Sequence, residues 1–136
     1  MKRFALYALN LAFVVLSGCA GIPAAEASTY EQTQGHGQTI TSSEARIIMK
    51  ENENFVLLDV RSQREFEQGH IEGALLLPSG NIIGQAEEEI PDKGTLILLY
   101  CQTGRRSYTA ARSLVYLGFT RVYDFGGIVD WPYGIH

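Results

Sequence analysis

Three stretches of this chain are apolar at nearly every position: residues 55–60, 74–77 and 95–100. Each is four to six residues long and none alternates between apolar and polar, which predicts strands buried on both faces. Between them the apolar spacing changes. Thr41 and Glu44 stand three apart as a capping box, and Ala45, Ile47, Ile48 and Met49 follow as one face of a helix. A short helix is predicted over 64–68, closed by Gly69, and another within 82–90. Pro78 halts the second strand, and Pro91-Asp92-Lys93-Gly94 reads as a turn. A longer helix over 107–117 is capped by Gly118, and a last strand lies near 121–125. Alternation of strand and helix predicts one α/β domain, a central, mostly parallel sheet covered by helices on both faces. In such folds ligands bind beyond the carboxyl ends of the strands. Asp59-Val60-Arg61 and Cys101 both fall at such ends, which predicts that they face one pocket.

The N-terminal apolar run is of another kind. Lys2 and Arg3 precede residues 4–16, interrupted by Asn10, in the layout of a secretory signal too short for a comfortable membrane span. Leu16-Ser17-Gly18-Cys19 then resembles a bacterial lipobox, in which cleavage before the cysteine frees a thiol and an amino group for acylation. Ordinary cleavage after a small-x-small triplet, Gly18-Cys19-Ala20 or Ala25-Glu26-Ala27, is the competing reading. The expected division is therefore a lipoprotein signal over 1–18, a flexible tether over 19–38 and one domain over 39–136. The tether is Ala, Gly, Ser, Thr and Gln with few large apolar residues, too little to offset chain entropy. This implies an exported protein anchored in a membrane through Cys19, facing the periplasm or the cell exterior. One acyl chain binds only marginally, so lasting attachment needs several.

Charge and cysteine count narrow the function. Loss of residues 1–18 removes Lys2 and Arg3 and leaves nine basic against fifteen acidic residues, a balance that argues against nucleic acid as a partner. Lipidation of Cys19 leaves Cys101 alone, whereas an exported domain stapled by disulfides carries an even set. His36, His70 and His136 are scattered, with no cysteine pair nearby, and form no zinc pattern. Glu87-Glu88-Glu89 reads as a solvated helix face.

The informative segment is Cys101-Gln102-Thr103-Gly104-Arg105-Arg106, between the third apolar strand and the long helix. A thiol where a strand ends and a helix begins faces unpartnered backbone N–H groups and the positive end of the helix dipole. Thiols so placed fall from a pKa of about 8.5 to roughly 3.5–7.5. Gly104 and two arginines suit a tight anion-binding loop and do not suit a packed core. Cys101 is the expected nucleophile. Gln102, Thr103, Gly104, Arg105 and Arg106 are the expected cradle for its anionic ligand.

Four segments resemble the single-domain rhodaneses, a family of sulfurtransferases. Leu58-Asp59-Val60-Arg61 is similar to their Asp-x-Arg strand end, and Glu65-Phe66-Glu67-Gln68-Gly69-His70-Ile71-Glu72-Gly73-Ala74 to their Phe-x-x-x-His-Ile-x-Gly-Ala signature. Cys101 to Ser107 matches their Cys-x-x-Gly-x-Arg-Ser loop, and Gly126-Gly127-Ile128-Val129-Asp130-Trp131 resembles their Gly-Gly-x-x-x-Trp. Glu72 departs from a common proline and Ile128 from a common aromatic. The resemblance implies transfer of sulfane sulfur from a donor such as thiosulfate through a Cys101 persulfide to a thiol, a protein acceptor or cyanide. It implies no cofactor. A sulfur carrier loaded by dedicated partners needs the same loop, so both readings stay open, and a binding module is a third. Four residues separate Cys101 from Arg106, where the phosphatase-like branch of this fold has five, which argues against phosphatase or arsenate-reductase chemistry. Asp59 and Arg61 are expected to pair with each other or with loop backbone and shape the pocket, and His70 to be structural.

Overall fold

The computed structural model describes residues 37–136; the expected leader, Cys19 and nearly all of the tether lie outside the described residues. Five strands form one sheet: β1 (Gln38–Thr39), β2 (Val56–Asp59), β3 (Leu75–Leu76), β4 (Leu96–Cys101) and β5 (Arg121–Gly127). Their order is β1-β5-β4-β2-β3 and every pairing is parallel. Central β4 is buried at all six positions, as its unbroken apolar run requires. Side chains alternate across a strand. Leu58, Ile97, Leu99 and Cys101 therefore join one core, and Leu57, Leu98 and Tyr100 the other.

Four helices, α1 (Ser42–Glu51), α2 (Gln63–Glu67), α3 (Ile82–Glu89) and α4 (Arg105–Tyr116), alternate with the strands. α3 and α4 cover the first face through Ile82, Ala86, Ala110, Ala111 and Leu114. α1 covers the second through Ala45, together with Phe125, Ile128 and Trp131 of the C-terminal segment. Complete burial of each Leu or Ile of β4 contributes about 1.5–3 kcal/mol. Placing the two cores back to back fixes the strand end that carries Cys101 beneath the start of α4.

The Thr41–Glu44 capping box forms as the spacing predicts, and Glu87–Glu89 are exposed. Several boundaries differ from the sequence reading. Gln38 lies in β1, paired with Tyr123, and Ile40 N–H donates to Asp124 O (2.9 Å). Order thus starts inside the stretch read as tether, because the edge of β5 supplies hydrogen bonds that composition does not reveal. β3 shrinks to two residues, Leu75 and Leu76. α2 starts at Gln63 and α4 at Arg105, each earlier than expected. No regular helix follows Trp131 among the described residues; a 3-10 turn, Ile128–Asp130, precedes it.

Candidate active site

Cys101 ends β4 at a register irregularity against β5, where Cys101 faces Gly127 while Leu99 still faces Asp124. Such bulges re-aim a side chain at a strand end. The loop then turns through Gly104, whose φ of +96° suits glycine and makes it the N-terminal flank of α4. The turn brings Gly104 N–H to within 3.1 Å of Cys101 Sγ. Burial opposes ionisation of Cys101, which is 1 % exposed. The backbone N–H and hydroxyl of Ser107, with the N–H groups of Thr103 and Gly104, outweigh that penalty and hold the thiol below its ordinary value. The one hydroxyl proton of Ser107 also has Gly104 O (3.0 Å) and Gly126 O (3.3 Å) within reach.

Two arginines flank this cradle, and each meets a carboxylate. Arg61 donates through Nε to both oxygens of Asp59 (3.0 Å each) and through Nη2 to Oδ2 (2.7 Å). The pair is buried. Arg61 Nη2 also donates to Gly69 O (2.7 Å) and Nη1 to Gln102 Oε1 (3.3 Å), tying the loop to the end of β2. Arg106 donates to both oxygens of Glu65, Nη1 to Oε2 (2.8 Å) and Nη2 to Oε1 (2.6 Å). Arg106 holds the Glu65 carboxyl well below the usual carboxylate range, aided by Ser62 against partial burial. Glu65 in turn raises Arg106, and the nearby Cys101 sulfur adds to that effect. Arg105 is exposed on the first turn of α4, with no ion pair among the described residues.

The far wall of the loop is β5. Gly127 packs so closely that a Cβ there would lie 2.6 Å from Gln102 O and 2.9 Å from Thr103 Cα. Asp124 lies buried in β5 and accepts from Gly126 N–H (3.0 Å). Burial raises its carboxyl above the ordinary value despite the hydrogen bond from Gly126. A cleft of about 310 Å³ opens beside the loop, lined by Arg61, Glu65, Gln68, Gln102, Val129 and Ile135 among others. A thiol held below its ordinary pKa, amide donors around it and a cleft beside its loop form an arrangement suited to covalent chemistry at sulfur.

A family model described as the rhodanese-like domain matches residues 43–132, which include the whole of this loop. The chain belongs to the rhodanese-like family. The thiosulfate sulfurtransferase PspE of Escherichia coli is 33% identical over 73 residues, 54% of this chain and 70% of that protein. A sulfurtransferase of Allochromatium vinosum is 38% identical over 84 residues, 61% of this chain and 77% of that protein. Among solved structures, a rhodanese with anions from E. coli has a TM-score of 0.56 at 30% identity, over 60% of this chain and 95% of that one. The sulfurtransferase family and the α/β fold implied by the sequence motifs are thereby shown.

Within this rhodanese-like domain, the residues of the expected cradle from Cys101 to Arg106 form one loop and helix start. Asp59 and Arg61 pair with each other and reach the loop through Gln102. His70 stacks on Phe66 at 3.7 Å, and its Nδ1–H donates to Phe66 O (3.0 Å). No cluster of metal-ligating side chains occurs among the described residues. The sequence reading gave no role to Glu65 or Ser107, which it met only within motifs, nor to Asp124, and it did not find the steric role of Gly127. One signal was present: Ser62 and Glu65 have capping-box spacing, and the box forms. Arg106 is not a free cation at the sulfur; its guanidinium is shared with Glu65.

Proposed function

We infer that this protein is a sulfurtransferase that moves sulfane sulfur from a donor such as thiosulfate to a thiophilic acceptor through a persulfide on Cys101. The observation that carries this reading is the Cys101 sulfur, kept below its ordinary pKa at the end of β4 with Gly104 N–H 3.1 Å away. The thiolate attacks the outer sulfur of thiosulfate. A new S–S bond forms, the donor's S–S bond breaks, and the electron pair departs with sulfite. Cyanide or a thiolate then attacks the terminal sulfur and returns the electron pair to Cys101. This covalent route divides one transfer into two easier ones. The N–H groups of Thr103, Gly104 and Ser107 form an oriented nest for the persulfide anion. Removing one such donor costs about 10²–10³ in rate where charge develops.

The same proposal includes a lipid anchor at Cys19, which would fix the domain at a membrane facing the periplasm or the cell exterior. Its support is the sequence of residues 1–19 alone. Thiocyanate formation from thiosulfate and cyanide tests the enzymatic reading. The wild-type protein is expected to turn over and Cys101→Ser to be inactive; a Cys101→Ser protein that retained activity would contradict it.

A further inference from the structure

The charges around the loop do not sum as an anion site for a highly charged donor would. Arg61 is buried against Asp59, with 5 % of its side chain exposed. Arg106 is held in a two-point pair by Glu65, which comes from α2, forty-one residues earlier. These four side chains carry no net charge, which leaves the amide nest, the dipole of α4 and exposed Arg105 as the attraction for an anion. Glu65 also lines the cleft beside Gln102, so a donor entering there passes a carboxylate. Loss of the attraction of a free guanidinium acts more strongly on a dianion than on a monoanion.

We propose that Glu65 is a specificity-determining residue that, by occupying Arg106 and placing a carboxylate in the cleft, selects monoanionic sulfane donors over dianionic thiosulfate. The inference rests on the sulfurtransferase reading above and names the donor class for that same site. Alkyl persulfides and thiosulfonates share the required chemistry, a terminal sulfur bearing the only net charge. With methanethiosulfonate the Cys101 thiolate attacks the outer sulfur, the donor S–S bond breaks and methanesulfinate leaves with the electron pair. Charge and atoms balance as they do when sulfite leaves thiosulfate. The two donors differ by a methyl group in place of one anionic oxygen, so their rate ratio reads the electrostatics of the site.

Loading of Cys101 by each donor is to be followed by intact mass in wild type, Glu65→Gln and Glu65→Asp. Glutamine retains the capping box with Ser62, so the start of α2 is kept while the charge is lost. Wild type is expected to take up sulfur faster from methanethiosulfonate. Glu65→Gln is expected to narrow the ratio of kcat/KM values by about tenfold, chiefly through KM for thiosulfate, and Glu65→Asp to keep it near the wild-type value. A folded Glu65→Gln protein with an unchanged ratio overturns the proposal. If Glu65→Gln does not fold, the wild-type ratio decides: kcat/KM must be higher for methanethiosulfonate than for thiosulfate, and a wild type that loads faster from thiosulfate overturns the proposal. Failure of both donors to load wild-type Cys101 is a different result, because it removes the sulfurtransferase reading itself.

Discussion

Replacing Gly127 by alanine adds one methyl group, yet it should damage the site more than its size suggests. Gly127 has φ −105° and ψ 141°, ordinary extended backbone that alanine adopts without strain. The cost is purely steric. The new Cβ would lie 2.6 Å from Gln102 O, 2.9 Å from Thr103 Cα and 3.2 Å from Gln102 C, all backbone atoms. Ordinary contact begins at 3.4 Å, so the strand and the loop must separate by roughly 0.8 Å. Overpacking of this kind costs about 1–3 kcal/mol. In a domain of this size each kcal/mol lowers Tm by about 4–8 °C, giving a fall of roughly 4–24 °C. The separation also carries Thr103 N–H away from the sulfur, and a misplacement near 1 Å is worth about 10²-fold in rate. Thermal denaturation and thiosulfate-to-cyanide turnover measure the two effects. Gly118→Ala is the control: at φ +92° with open space around its Cβ, it pays about 1–2 kcal/mol of backbone strain far from the loop and keeps its turnover. A Gly127→Ala protein with wild-type Tm and turnover, or one no more impaired in turnover than Gly118→Ala, would falsify the close-approach argument.

Two further predictions follow from buried charge and from the thiol. Asp59→Asn leaves the Arg61 guanidinium buried without its counter-charge, which costs about 3–5 kcal/mol and lowers Tm by at least ~12 °C. Asp59→Asn combined with Arg61→Met should recover part of that loss, and a single variant with unchanged Tm would contradict the buried-pair account. Alkylation of Cys101 by iodoacetamide should rise with pH to a midpoint below that of the same thiol in the denatured protein. The sign follows from the lowered pKa: the reactive thiolate accumulates as pH rises through the folded value. Ser107→Ala removes a hydroxyl donor to that thiolate and should move the midpoint upward. A wild-type midpoint at or above the denatured-state value would oppose this assignment.

The parts of the fold that sequence makes legible are those fixed by burial or by local hydrogen bonding. The run at 95–100 can only be a strand buried on both faces, and it is the centre of the sheet. Thr41 and Glu44 announce the start of α1 because both groups of the cap lie within four residues. β1 is different: Gln38 and Thr39 are polar and exposed, and only pairing with Tyr123 and Asp124 makes them a strand. α4 starts two residues before the expected position because Gly104 takes a positive φ that propensity alone does not reveal. At the site, Cys101 is legible from its place between strand and helix. Its surroundings are less so. Glu65 meets Arg106 across forty-one residues of sequence, and the fit of Gly127 against Gln102 depends on a register irregularity between β4 and β5. Both are products of topology, so they become visible only when the strands are in place.

The central claim is a sulfur atom carried on Cys101, and intact mass reads it directly. The purified protein is weighed before thiosulfate, after thiosulfate and after cyanide, with peptide mapping at each stage. A gain of one sulfur atom on Cys101, lost to cyanide with release of an equal amount of thiocyanate, is the predicted result. A folded protein with a titratable thiol that gains no sulfur from thiosulfate or from methanethiosulfonate would contradict the account.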